Sequence, residues 1–182
     1  MTATNQAAER LDSEIQEHRE ALRRFLASAE SLAAEAWNAQ PRPEQWTPAQ
    51  IAEHLRLSYH VVRSELSGQT GFRVRSSRWQ QLLFRLLYLP RILKSGRFPK
   101  GVPAVREIRP ENGPFDRKEL LDALRTEGEQ LIALIQAIPF GQGASITHPF
   151  LGKLGLLDGV RLATQHIRHH QKQLVGTGVA SA

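Results

Sequence analysis

The apolar residues of this chain repeat at three- and four-residue steps along four long stretches. They nowhere alternate with polar residues in a β-branched run bounded by turn pairs. The first pattern marks a helix with one buried face, the second a half-buried strand. Leu11, Ile15, Leu22, Phe25, Leu26 and Leu32 form the first stripe, and the spacing predicts a helix over residues 6–37. "NAQPRPEQW" ends it with two prolines and a tryptophan. In "WTPAQIAEHL", Thr47 is placed to cap a second helix. Pro48 opens that helix where a missing N–H costs nothing, and the pattern runs to about Leu66 before "SGQTG" stops it.

Residues 71–115 read as an excursion: a short helix broken near Pro90, then an extended Pro/Gly segment to Pro114. A third long helix is predicted over 116–137. Asp116 caps it, with Glu119 three residues later in a capping-box pattern, and Leu120, Leu121, Leu124, Leu131, Leu134 and Ile135 face inward. A long loop, "PFGQGASITHPFLGKLG", leads to the last helix, predicted over 156–175, and "GTGVASA" is a frayed tail. The fold class that follows is all-α: a four-helix bundle with an extra short helix and an extended crossover between helices two and three. The expected organisation is a single helical-bundle domain over 1–182, with 71–115 as a crossover insertion and 176–182 as a flexible tail. At 182 residues, 41% hydrophobic and 23% charged, the chain is long enough for one sizeable core.

The absence of cysteine excludes disulfides, thiolate nucleophiles and thiolate metal sites. No run of 18 apolar residues exists, so no membrane span is expected. The polar N-terminal stretch has no apolar signal-peptide region, which makes a cytoplasmic protein the expectation. A formal net charge of +6 raises nucleic acid as a partner, but charge alone does not carry that reading, and nucleic acid is not the expected partner.

The seven histidines hold the chemistry. Residues on a helix advance by about 100° each. On the last helix Leu156, Val160, Ala163, Ile167 and Leu174 share one face, and His166 and His170 lie together at its edge. His169 turns outward towards Gln165, and Arg161, Arg168 and Lys172 take the solvent side. On the second helix Ile51, Leu55, Val62 and Leu66 face inward with His54 at the edge, while His60 is on the far side. Three inward histidines are costly to bury without partners. Either they are hydrogen-bonded core residues, or His54, His166 and His170 hold one divalent transition metal. Neutral imidazoles suit Zn²⁺, Ni²⁺ or Fe²⁺, and three protein ligands leave open positions, as in catalytic metal sites.

Three signatures carry a resemblance. Trp46 precedes His54 by eight positions in "WTPAQIAEHL"; His166, His170 and Gln173 stand in "HIRHHQKQL"; "HPFLGKLG" begins at His148. Together with "RFPKGVPAVREIRPEN", these resemble the DinB-like (YfiT-like) metalloenzyme superfamily. The resemblance covers nearly the whole chain and implies a right-handed, up-down-down-up four-helix bundle with a metal at one end on His54, His166 and His170. One departure stands out: a related subgroup carries tryptophan where this chain has Gly159. Characterised branches resemble thiol-dependent transferases and isomerases that use low-molecular-weight thiols such as bacillithiol or mycothiol; others are described as hydrolases.

Two functions are therefore open. The first is a metal-dependent enzyme, a thiol-dependent transferase or hydrolase acting on a small molecule. His148 would be a pocket acid/base, or a loop-packing residue before Pro149. Gln173 would support His170, or be solvated. Trp46 reads as a packing anchor and Glu53 as a surface charge. The alternative is a non-enzymatic, stress-related binding module using the basic 73–100 segment. Its Trp79, Phe84 and Tyr88 would otherwise cover the bundle core or a homodimer interface.

Overall fold

The computed structural model describes residues 3–99, 101–139 and 143–177. In chain order its elements are α1 (Ala3–Glu30), α2 (Pro48–Leu66), α3 (Arg78–Leu87), α4 (Leu89–Ser95), a 3-10 turn (Arg106–Ile108), α5 (Arg117–Ala137), β1 (Ser145–His148), β2 (Gly152–Gly155) and α6 (Leu156–Thr177). The fold is predominantly helical, as the periodicity requires.

The long helices α1, α2, α5 and α6 form the bundle. Arg161 reaches Glu14 at 3.2 Å and Gln171 reaches Ser28 at 3.2 Å, so α1 and α6 run in the same direction. Arg19 meets Glu129 at 3.4 Å and Arg125 meets Glu30 at 3.1 Å, so α1 and α5 run oppositely. Gln50, early in α2, reaches Asn112 just before α5, and Arg63, late in α2, reaches Glu127 at 2.8 Å, which makes α2 and α5 parallel. The order is up-down-down-up. The interior holds Ile15, Leu22, Phe25, Leu124, Ile132, Ile167 and Leu174, each less than 2% exposed. On α5 Ile132 is buried and Leu134 only partly so, a modest rotation of the expected face.

Local signals set the helix starts. Thr47 Oγ1 accepts the Gln50 N–H at 3.0 Å while the Gln50 side chain accepts the Thr47 N–H at 3.0 Å, a reciprocal cap. Asp116 accepts the Glu119 N–H at 2.8 Å. The end of α1 departs from expectation. The helix stops at Glu30 rather than running to residue 37, and 31–38 is a series of turns. Helix propensity loses here to a tertiary contact. The Arg117 guanidinium, at the start of α5, donates to the carbonyls of Glu30, Leu32 and Ala33 at 3.3, 2.7 and 2.9 Å. Those freed carbonyls are thus satisfied by a side chain from elsewhere in the chain. Trp37 is buried, and its indole N–H donates to Phe115 O at 3.0 Å.

The long loop before α6 also differs from expectation, because it contains a strand pair. β1 and β2 are antiparallel with Ile146 opposite Leu154. Both side chains are buried. Each strand has only four residues, too few for a visible alternation. The hairpin is tied to α2: Glu65 accepts the Thr147 N–H at 3.0 Å and the Thr147 hydroxyl at 2.5 Å. It also explains Gly159. A Cβ there would stand 2.8 Å from Ile146 Cδ1, so β1 packs where a larger side chain would sit.

The crossover forms a second apolar cluster outside the bundle. Leu89, Ile92, Leu151, Leu154 and Leu162 are buried together, with Phe84, Leu93 and Phe98 packed against them. Phe84 packs on this second cluster rather than on the bundle core. Trp79 does not cover the bundle core: it is 80% exposed. α6 extends two residues beyond its expected end, to Thr177. The rest of the expected tail, 178–182, lies outside the described residues.

Candidate metal centre

Two antiparallel helices bring three of the seven histidines together. His54 lies nearly two turns into α2; His166 and His170 lie four apart in the middle of α6. Their Nε2 atoms converge. His54 Nε2 is 3.1 Å from His166 Nε2, and His170 Nε2 is 3.0 Å from the same atom. The three offer ligand nitrogens that all lie within 4.8 Å of one another.

The outer nitrogens fix the protons. His54 Nδ1 is 2.7 Å from the Ile108 carbonyl, which can only accept, so Nδ1 carries the hydrogen. His170 Nδ1 likewise faces Gln173 Oε1 at 2.7 Å. In the neutral rings the Nε2 atoms of His54 and His170 are therefore bare lone pairs. Both aim at His166 Nε2, which can offer at most one hydrogen. A neutral triad by itself leaves lone pairs facing each other; a shared cation removes that repulsion. The two distances to His166 are slightly tighter than the roughly 3.3 Å between ligand atoms of a tetrahedral zinc site, so small ring rotations would fit an ion.

Burial keeps these rings neutral. It pushes His54 down to about 4 and His170 down to about 3, in the second case helped by the neighbouring His54 and opposed by the Gln173 hydrogen bond. His166 is held well below its ordinary value by burial and by the surrounding histidines. Neutral imidazole is the form that ligates.

The other candidates divide as follows. His169 stays outside the triad; it is half-buried and packs on Phe98 with ring centres 5.1 Å apart. Trp46 packs on His54 at 4.8 Å and stacks at 6.5 Å on His170, a wall for the centre as well as an anchor for α2. Glu53 pairs with Arg56 at 2.7 Å, and the exposed His60 is 3.1 Å from Glu127. His148 ends β1. Its Nδ1 accepts the N–H groups of Phe150 and Leu151 at 3.2 and 3.1 Å, so the ring closes the hairpin turn and carries its hydrogen on Nε2. Burial lowers it to about 4.

A cavity of about 1320 Å³ adjoins the centre. His54, His166 and His170 line it, with His148 and apolar side chains such as Phe84, Ile92, Phe98 and Leu154. Concave, largely apolar sites of this character take small organic molecules.

One polar group in the bundle was missed by the sequence reading. His18 of α1 is buried, and its two nitrogens bridge α2 and α6. Thr164 donates its hydroxyl to Val160 O at 2.9 Å, so its oxygen accepts from His18 Nδ1 at 3.1 Å. His18 Nε2 then accepts from the Tyr59 hydroxyl at 2.9 Å. A signal was present: His18 sits between Ile15 and Leu22 on the apolar stripe of α1.

A helical bundle with three imidazoles gathered at one end, beside a largely apolar cavity, defines a class of proteins able to hold a metal on histidine alone. The DinB superfamily model matches residues 17–174, and the chain belongs to that superfamily. Comparisons with curated proteins and with solved structures give no match. Among the described residues, no helix is long and apolar enough to cross a membrane.

Proposed function

We propose that the chain, working as a single domain over 1–182, is a metal-dependent enzyme for a small apolar molecule. His54, His166 and His170 are its ligands to Zn²⁺, Ni²⁺ or Fe²⁺. The observation that carries this reading is the convergence of three Nε2 atoms, two of them stripped of hydrogen by outer partners, at the wall of the cavity. When bound, the metal supplies a Lewis acid that lowers the pKa of a thiol or water enough to give a nucleophile at neutral pH. The side chains around it bind, orient and exclude water. Ile92, Phe98 and Leu154 give an apolar wall. Trp46 closes one side of the imidazole cluster. His148 is neutral and keeps its Nδ1 on the backbone, so it presents an Nε2–H. That favours hydrogen-bond donation to charge developing on a substrate oxygen over general-base work. The reaction class is thiol-dependent transfer, with a low-molecular-weight thiol as co-substrate, or hydrolysis.

The test begins with untagged protein. Metal per chain is measured for the parent and for His54→Ala, His166→Ala, His170→Ala and His169→Ala. The parent and His169→Ala carry about one ion, as a single three-histidine site would; the other three lose it. Equal metal in all five proteins overturns the ligand assignment. Consumption of an activated alkene that needs both metal and thiol supports transfer; ester cleavage without thiol supports hydrolysis. Absence of both activities in the metal-loaded protein counts against an enzyme.

A further inference from the structure

The crossover carries charge and apolar surface in an arrangement the histidine centre does not use. Between Leu66 and Glu107 the sequence places nine of the 24 lysines and arginines and none of the 18 acidic residues. The rest of the chain therefore holds more acids than bases, and the whole positive balance comes from this segment. Among the described residues, Arg73, Arg78, Arg85, Arg91, Lys94 and Arg97 are exposed, and none has an ion-pair partner.

The same segment exposes a ridge. Trp79, Leu82, Leu83 and Leu86 of α3 fall within about 100° of one another around the helix. They are 80, 49, 52 and 66% exposed. Arg78 and Arg85 project along one border of that ridge. The other side of α3 is engaged: Phe84 packs against the second apolar cluster, and Gln81 bonds Ser76 O at 2.9 Å. The backbone before the helix is pinned as well, with Arg75 N–H on Pro149 O at 2.8 Å and Ser76 Oγ on Phe150 O at 2.9 Å. The ridge is thus held outward by a fixed base.

We propose that α3 and the cationic segment around it form a docking surface for an anionic lipid bilayer. An apolar stripe with tryptophan, bordered by arginines, is the pattern of a helix that lies in the headgroup region. Leucines enter the acyl boundary, the indole sits at the interface, and arginines reach up to lipid phosphates. Charge opposes a second copy that meets this ridge with its own ridge. An isologous contact would set Arg78 and Arg85 of both chains together, with no acidic residue in the segment to offset them. Nucleic acid fits poorly because leucines, which donate no hydrogen bond, occupy the centre of the surface. This surface does not depend on the histidines. Phe84 of α3, Ile92 of α4 and Tyr88 between the two helices line the cavity, so the docked layer is also a cavity wall.

Flotation of the full chain with vesicles tests the proposal. One set is phosphatidylcholine alone; the other is an equal mixture with phosphatidylglycerol. The chain floats with the mixed vesicles and binds phosphatidylcholine about tenfold or more weakly. Binding to the mixture falls with added salt. A blue shift of tryptophan emission accompanies binding and is lost in Trp79→Phe. The double variant Leu83→Glu with Leu86→Glu, exposed positions whose change leaves the circular dichroism and melting of the chain intact, loses flotation. Arg78→Glu with Arg85→Glu loses the preference for phosphatidylglycerol. Failure of the parent to float, or flotation of both double variants like the parent, overturns the proposal. So does a parent dimer that Leu83→Glu with Leu86→Glu dissociates, or duplex DNA binding that outcompetes the mixed vesicles.

Discussion

The His170 ring donates from Nδ1 to Gln173 Oε1 at 2.7 Å, one turn along the same helix. That bond holds the tautomer with a bare Nε2 and fixes the ring plane. Outer partners of this kind typically contribute 10- to 100-fold to metal affinity. Gln173→Ala is therefore expected to bind metal about 10–100-fold more weakly than the parent in competition with a coloured chelator, while the helix content is unchanged. Gln173→Glu keeps an acceptor and stays close to the parent. Parent-level affinity in Gln173→Ala would remove this residue from the centre.

Much of this centre was legible because helix geometry is regular. Leu55, Ile51 and Ile167 define buried faces, and His54, His166 and His170 fall at their edges by angle alone. What could not be read was supplied by main-chain atoms or by distant contacts. The partner of His54 is the carbonyl of Ile108, and any residue type presents a carbonyl. The end of α1 is set by Arg117, far along the chain, while the local sequence still favours helix. The hairpin at 145–155 is stabilised by packing and by Glu65, with strands too short to show a period. His18 is the opposite case, a histidine on the stripe whose position pointed inward all along.

Arg117 makes three carbonyl contacts at the end of α1 and also lies 5.4 Å above the Trp37 ring. A lysine reaches one carbonyl but cannot fork across three or stack flat. Arg117→Lys is expected to lower stability by about 1–2 kcal/mol, and Arg117→Ala by somewhat more. Urea unfolding followed by circular dichroism reads both. Unchanged midpoints would mean that water satisfies the freed carbonyls equally well.

His18 gives a pH prediction whose sign is fixed. Burial pushes it down to about 4, assisted by the positive charges of Arg168 and Arg19. In the unfolded chain it titrates near its ordinary value of 6.5. Between these values the unfolded state binds the extra proton, so the contribution is fully present above about pH 6.5 and is lost as the pH falls towards 4. The size of the loss is on the order of 3 kcal/mol. The histidines of the centre act in the same direction, so the comparison has to be with His18→Gln. That variant is expected to be less stable than the parent at neutral pH, with a shallower decline on acidification. Parallel stability–pH curves for the two proteins would contradict the assignment.

Glu65 separates the hairpin from the imidazole cluster. It sits in the last turn of α2 and accepts both the N–H and the hydroxyl of Thr147, whereas His54 lies in the second turn of the same helix. The next residue along β1 is His148, whose ring holds the turn through the Phe150 and Leu151 N–H groups. Glu65→Ala leaves two partly buried donors without their acceptor, which costs about 1–3 kcal/mol. His54 and His170 keep their outer partners, Ile108 and Gln173, so bound metal is expected to match the parent. The turnover proposed for this chain is expected to fall, because the hairpin that holds His148 at the cavity wall is no longer clamped. Glu65→Gln keeps one acceptor oxygen and lies between the two. Metal content, urea midpoint and turnover measured on the same samples make the distinction: loss of metal in Glu65→Ala as complete as in His54→Ala would show that hairpin and centre are one unit rather than two.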